Sequence, residues 1–355
     1  MDNVRESTAP ADSDPFALDV VAVATHLAAH GMTLEVEAGA QRLSGGLSNL
    51  NYLVTVDGRQ AVLRRPPGGE LAPGAHDMAR EHRILSRLST VFAPAPDSFF
   101  LCTDPEVIGA PFQIMEHRRG RVVGGDRLPP DLDSPSAAGN LSGELVATLA
   151  ALHRVDADAI GLGDFGRPDG FYRRSVGGWV RRAEALALDE RPARRVGTIS
   201  AWLGAVEPAP SAPTLLHSDF KLDNCMLDSR GRITTVLDWD MGTRGDPLMD
   251  LATLTSYWTE SGDPECMHRL AQMPTARPGF LTRAGVVELY ARQSGRDVSG
   301  FGAWRILALL KLGIIFIQLH RNWARGAAGD ARYAGFAELG VDILDFAAAS
   351  TSRPI

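Results

Sequence analysis

The stretch His217-Ser218-Asp219-Phe220-Lys221-Leu222-Asp223-Asn224, with Val236-Leu237-Asp238-Trp239-Asp240 shortly after it, decides how the rest of this 355-residue chain is read. It sets acids, a lysine and an amide among short apolar runs: Leu215-Leu216 before, Met226-Leu227 and Ile233 to Leu237 after. Such alternation suits paired short strands carrying exposed loops. Phosphoryl transfer from a nucleotide needs a carboxylate beside the attacking hydroxyl, a cation on the transferred group and oxygen ligands for magnesium. Asp219, Lys221, Asn224 and Asp238 supply that set. A lone D-x-x-x-x-N would read as an Asp-rich turn; the whole string between strand-like runs points to chemistry.

The order H-x-D-x-K-x-x-N with a later Asp resembles the protein-kinase catalytic loop and its metal-binding Asp. The chain resembles the aminoglycoside phosphotransferase and choline kinase branch of kinase-like enzymes, whose string is H-G-D-x-x-x-x-N followed by a strand and D-W/F. The resemblance runs from about Leu43 to Phe346. More narrowly, Gly45 to Asn49, Val62 to Pro67, Ile160 to Gly166 and Gly245 to Ala252 resemble the kinase-like domains fused to, or encoded near, acyl-CoA dehydrogenases. That subfamily is associated with phosphorylating hydroxyacyl-CoA intermediates.

The resemblance implies an α+β, two-lobed protein-kinase-like fold with a small β-rich N-terminal lobe and a larger, mainly helical C-terminal lobe. It implies ATP and magnesium as cofactors, and a partner in an acyl-CoA dehydrogenase pathway. Carried over by residue, Asp219 is the catalytic carboxylate, Lys221 faces the γ-phosphate, and Asn224 and Asp238 hold magnesium. His217 packs the loop, and Asp246 and Asp250 brace it through hydrogen bonds. In the N-terminal lobe Gly45, Gly46, Ser48 and Asn49 take the place of the turn over the nucleotide phosphates. Arg64 stands where kinases carry a strand lysine, and Glu81 is its helix partner. Backbone groups of Glu116 and Arg118 follow a strand as a kinase hinge does and are candidates for adenine recognition. A guanidinium can still clamp phosphate, as a planar fork rather than a point charge.

Local patterns give the elements. Leu50 to Val56, Asp57-Gly58 and Gln60 to Arg64 form a β-hairpin around a turn able to take positive φ. Ile84, Leu85 and Leu88 predict a helix from about Asp77, and Phe99 to Leu101 and Phe112 to Met115 two more strands. Past Gly120 the periodicity is mostly helical: Leu141, Leu145, Leu149 and Leu152 share one face of a helix ending near His153. The expected division is a disordered tail at 1–16, a nucleotide-binding lobe at 17–118 and a catalytic and substrate-binding lobe at 119–355.

Composition sets limits. With 45% hydrophobic and 22% charged residues, the chain can bury a core, and a net charge of -7 argues against coating nucleic acid or an anionic membrane. Three scattered cysteines suit a reducing cytoplasm, and the polar first residues lack the apolar core of a signal peptide. Ile306 to Leu319, interrupted by Lys311, reads as a buried helix. Of the 36 Lys and Arg, only Lys221 and Lys311 are lysines.

Arg173, Arg174, Arg181 and Arg182, interleaved with Tyr172 and Trp179, are either a solvated helix face or a site for the phosphates of CoA. From Ile160 to Ser200 eight Arg face five acids, and from Leu251 onward eleven Arg or Lys face nine, a mild positive excess. An anionic acceptor such as a hydroxyacyl-CoA fits this better than a polycationic one. The alternatives are an aminoglycoside or choline-like amino-alcohol kinase, and a pseudokinase that binds nucleotide without turnover.

Overall fold

The computed structural model describes residues 17–43, 49–67, 77–326 and 331–352. Packing divides the chain into two units: one takes the chain up to Ser86 and again Asp97–His117, the other Arg87–Pro96 and everything from Arg118 onward. A boundary drawn at residue 118 would leave Arg87–Pro96 in the first lobe, whereas this segment packs with the second unit.

In the first unit Asp19 caps α1 (Val20–Ala29) by accepting the Ala22 N–H at 2.9 Å. A five-stranded antiparallel sheet follows, with β1 (Gln41–Arg42), β2 (Leu50–Val56), β3 (Arg59–Arg65), β4 (Ser98–Cys102) and β5 (Phe112–Glu116) in the order β1-β2-β3-β5-β4. Asp57 and Gly58 both take positive φ, 49° and 72°, the twist that a two-residue hairpin turn needs. The alternation of β2 is strict: Leu50, Tyr52, Val54 and Val56 are buried and the residues between them only partly so. That face joins Leu63, Ile114 and Phe112 with Val23 and Leu27 of α1 in one apolar core. Asp77 accepts the Arg80 N–H at 2.9 Å at the start of α2 (Met78–Leu88), which places Glu81 in the first turn.

The second unit is mainly helical. Its helices are α3 (Pro135–Leu152), α4 (Phe171–Ala185), α5 (Glu190–Ala205), α6 (Leu248–Ser256), α7 (Glu265–Leu270), α8 (Arg283–Ser294), α9 (Phe301–Ala324) and α10 (Phe336–Ser350). Its strands are short: β6 (Arg121–Val122), β8 (Cys225–Leu227) and β9 (Ile233–Val236) make one antiparallel sheet, and β7 (Thr214–Leu216) pairs with β10 (Thr243–Gly245). Helix α9 is apolar and long enough by composition to cross a membrane, but 78% of its most apolar window is buried inside this unit. It packs against α6, α4 and α10.

The approach of α9 to α10 depends on two glycines. A Cβ on Gly340 would stand 2.6 Å from the Gly313 carbonyl oxygen, and one on Gly313 would stand 2.9 Å from the Gly340 carbonyl oxygen. Real Cβ atoms do not sit that close to backbone, so any larger residue pushes the helices apart. Gly340→Val is expected to cost about 1 to 3 kcal/mol by overpacking. Urea unfolding should show a lower midpoint at constant slope, and an unchanged midpoint would refute the close crossing.

Candidate active site

The functional string lies in the second unit on the turn that leaves β7. His217 is fully buried; its Nε2 donates to the Leu237 carbonyl at 2.8 Å, and its Nδ1 accepts the Asp219 N–H at 3.2 Å. Each ring nitrogen therefore has one role, which fits a neutral imidazole, and burial pushes its pKa below 6.5. The ring also packs on Trp239 at 4.6 Å. His217 is a packing and hydrogen-bonding residue of the loop.

Ser218 follows in the left-handed region at φ 70°, a conformation that costs a non-glycine residue energy unless its surroundings impose it. Two buried side chains do so. Asp250 on α6 accepts the Ser218 N–H at 2.8 Å through Oδ1 and the His217 N–H at 2.7 Å through Oδ2. Lys311 on α9 donates to the Ser218 carbonyl at 2.6 Å. Asp250 is held from behind by His153, whose Nε2 lies 3.4 Å from Oδ2 and whose Nδ1 lies 2.7 Å from the Tyr290 hydroxyl.

Asp219 is thereby presented with one carboxylate oxygen engaged. Oδ2 accepts from Lys221 Nζ at 2.8 Å and from Asn224 Nδ2 at 3.0 Å, and the side chain is 24% exposed. Burial works to raise its pKa, but the charges of Lys221 and Lys311 and the Lys221 hydrogen bond outweigh it, leaving the carboxyl below its ordinary value. Lys221 also meets Asp223 Oδ1 at 3.2 Å and lies 5.5 Å from the Tyr257 ring centre. Burial would lower this ammonium, yet Asp219 and Asp223 raise it well above the ordinary lysine value. Burial pushes the Asp223 carboxyl up.

The hairpin of β8 and β9 brings the two oxygen donors to one end. Cys225 faces Val236 in register, and one step beyond, the Leu237 N–H donates to the Asn224 carbonyl at 2.8 Å. Asp238, the next residue, leaves the strand in a left-handed conformation at φ 66°. Asn224 spends its amide N–H groups on the carbonyl and the carboxylate of Asp219, at 2.8 and 3.0 Å, so its side-chain oxygen remains as an acceptor. An amide oxygen and a carboxylate are hard donors and fit magnesium.

The first unit holds a separate buried polar chain. Glu81 Oε2 lies 2.8 Å from Arg64 Nε and accepts from Gln113 Nε2 at 2.6 Å. Ser98 Oγ donates to Gln113 Oε1 at 2.8 Å, and His82 Nδ1 lies 2.8 Å from the same hydroxyl. With Arg64 at 8% and Glu81 at 1% exposure, this is a fixed cation in a protein wall rather than a surface pair.

A model of the phosphotransferase enzyme family matches residues 39–285, more than half of the chain. The chain belongs to that family. The phosphotransferase is 30% identical over 305 residues, 85% of its length, to rat acyl-CoA dehydrogenase family member 11, and 34% identical over 289 residues to mouse acyl-CoA dehydrogenase family member 10. It spans only 38% and 27% of those two relatives. Among solved structures it resembles a Ralstonia eutropha protein assigned to the aminoglycoside phosphotransferases, at TM-score 0.76 and 25% identity, covering 95% of this chain and 99% of that one. Aminoglycoside phosphotransferase APH(4)-Ia, solved with ADP and hygromycin B, shares the fold at TM-score 0.59 and 18% identity, covering 93% and 98% of the two chains.

The structure of the phosphotransferase gathers Asp219, Lys221 and Asn224 into one hydrogen-bonded group with Asp238 at the end of the adjoining hairpin. Arg64 and Glu81 meet in the first unit. Asn49 is buried at the start of the sheet; Gly45, Gly46 and Ser48, like the tail at 1–16, lie outside the described residues.

The structure narrows three expectations. The Glu116 N–H donates to the Asp97 carbonyl at 2.7 Å, which takes that one group from the donors open to an adenine; the Arg118 guanidinium reaches the carbonyls of Ala93 and Ala95, contacts of its side chain and not of its backbone. Asp246 does not brace the catalytic loop: it accepts from the Ser211 and Leu248 N–H groups, leaving Asp250 to do that. The arginines of α4 have separate partners. Arg173 pairs with Glu207, Arg174 bonds the Asp169 and Arg167 carbonyls, and Arg182 stacks over Trp179 at 4.9 Å.

Sequence reading missed Gln113, Asp223, Tyr257 and the loop contact of Lys311. Only Lys311 left a signal, a charge within the apolar run Ile306 to Leu319.

The neutral histidines behind the loop predict a pH dependence of folding. Burial depresses both His153 and His217 below 6.5, so the stability of their neutral contacts is complete above that value and is lost as pH falls below it. Urea midpoints should drop between pH 7.5 and 5, and His153→Gln should flatten the slope. An equally steep slope in that variant would remove His153 from the explanation.

Proposed function

We propose that this phosphotransferase is an ATP- and magnesium-dependent small-molecule kinase that phosphorylates a substrate hydroxyl, with hydroxyacyl-CoA as the acceptor class. The observation that carries the reading is the Asp219 carboxylate, with Oδ2 fixed by Lys221 and Asn224 and the side chain partly open to solvent. On this reading its other oxygen accepts a hydrogen bond from the acceptor hydroxyl. Because the carboxyl sits low, Asp219 acts first by orienting that hydroxyl and takes its proton late. The hydroxyl oxygen bonds to the γ-phosphorus, the bond to the β-bridging oxygen breaks, and ADP leaves.

Lys221 donates to Asp219 and lies 3.2 Å from Asp223 Oδ1 as an ion pair, and its ammonium would turn a remaining N–H toward a phosphoryl oxygen. Asn224 and Asp238 would hold the magnesium ion, which when bound neutralises charge on the β- and γ-phosphates. Arg64, fixed by Glu81, would clamp phosphate where other kinases use lysine. Intact metal donors count against a pseudokinase.

Support for an anionic acceptor comes from the relatives' names and from charge. Arg182 is half-buried on Trp179 with no acidic partner among the described residues, and its charge acts on Lys311 behind the catalytic loop. A polycationic aminoglycoside brought near that charge would be repelled, whereas the phosphates of CoA would compensate it. An acyl-CoA dehydrogenase acting in the same pathway follows as the partner.

Two outcomes are expected. Asp219→Asn should abolish transfer while leaving nucleotide affinity nearly intact, and Asp238→Ala should remove the magnesium dependence of nucleotide binding in a calorimeter. Full activity in the first variant would sink the catalytic assignment. In a coupled ADP assay offering hydroxyacyl-CoA and kanamycin-like compounds at equal concentration, the CoA esters should turn over and Arg182→Gln should raise their KM. Robust aminoglycoside turnover with no hydroxyacyl-CoA turnover would overturn the acceptor class.

A further inference from the structure

The chain uses arginine at 34 of its 36 Lys and Arg positions, and both exceptions meet at the catalytic loop. Lys221 belongs to the loop itself. Lys311 comes from the middle of α9, ninety residues further along, and is 6% exposed. Burying an ammonium in an apolar helix is costly unless it is paired and hydrogen-bonded. Its hydrogen bond is short and goes to a backbone atom, the Ser218 carbonyl at 2.6 Å.

Ser218 is the residue where the loop needs holding. It is left-handed, it immediately precedes Asp219, and its two backbone polar groups go to opposite charges on two packed helices. The N–H goes to Asp250 on α6 and the carbonyl to Lys311 on α9. Removing the ammonium leaves the carbonyl half of that grip empty, with only the 3.2 Å bond from the Asp219 N–H to His217 Nδ1 left on the Ser218–Asp219 peptide, which can then tilt. The direction of the Asp219 carboxylate would rotate with it.

We propose that Lys311 is a positioning residue of the active site, which fixes the Ser218–Asp219 peptide from behind so that the Asp219 carboxylate meets Lys221 and Asn224. Asp219, Asp250, Lys221 and Arg182 are the charged groups that act on it. A compact ammonium suits this place, because a planar guanidinium needs more width and a different set of acceptors. That accounts for a lysine in a chain that otherwise chooses arginine.

The test exploits the same scarcity of lysine. Protein labelled with 15N-lysine gives two backbone amide signals, from Lys221 and Lys311. Lys311→Met keeps most of the side-chain volume and leaves only the Lys221 signal. The expected result is that this signal moves from its position in the unsubstituted protein, that kcat falls about 10- to 100-fold, the scale for a misplaced catalytic group, and that KM for ATP changes by less than about threefold. Lys311→Arg should restore neither. If Lys311→Met does not fold, Lys311→Gln takes its place, with a smaller displacement expected because a donor remains. A Lys221 amide at its original position in the folded variant, or full kcat in Lys311→Arg, would overturn the proposal. The kinetic arm rests on the kinase reading and the spectral arm does not. An unsubstituted protein that phosphorylates no acceptor would count against the kinase and leave the amide shift to decide Lys311.

Discussion

The peptide at Ser218 is the point on which the candidate site depends. Its left-handed backbone turns the chain out of β7 and delivers Asp219 to Lys221 and Asn224, and that conformation persists because Asp250 and Lys311 hold its N–H and carbonyl. Neither side chain belongs to the loop. Helices α6 and α9 exist as a packed pair for reasons of apolar burial, and each contributes one buried charge at the place where the loop passes. The cost of burying those charges is offset because each finds a backbone partner of the right polarity.

A second layer stands behind Asp250. His153, at the end of α3, and Tyr290, on α8, extend the chain of hydrogen bonds away from the loop, so four helices converge on one backbone turn. Both histidines of this assembly have geometries that suit the neutral ring. Their role is to complete hydrogen bonds in a desolvated place, and proton exchange with a substrate would break the contacts they make. The buried thiol of Cys225, which burial raises well above the ordinary cysteine value, is likewise inert packing beside Asn224.

The first unit solves a different problem, how to keep a cation fixed inside a sheet. Arg64 is held by Glu81, Glu81 is shared with Gln113, and Gln113 is set by Ser98. Removing Glu81 would leave a buried guanidinium without its counter-charge, a change of about 3 to 5 kcal/mol for pairs of this kind. Under the proposed function, an arginine that cannot swing away would suit a rigid phosphate chain in place of a lysine.

Much of this was legible in the residues alone. The alternation of Leu50 to Val56, the Asp57-Gly58 turn and the spacing of Leu141 to Leu152 are local signals, since backbone dihedrals and the period of burial are decided within a few residues. The string from His217 to Asn224 also carries its chemistry in its order, because strand, turn and strand bring Asp219, Asn224 and Asp238 together over a short span. Pairings between distant segments were not legible. Lys311 with Ser218, Gln113 with Glu81 and Tyr290 with His153 join residues whose sequence separation leaves no periodic trace. The Glu116 N–H was lost to Asp97 for the same reason, because which strand edge is already paired is a property of the closed sheet. Local sequence determined which residues could do chemistry; long-range packing decided which of them are held still enough to do it.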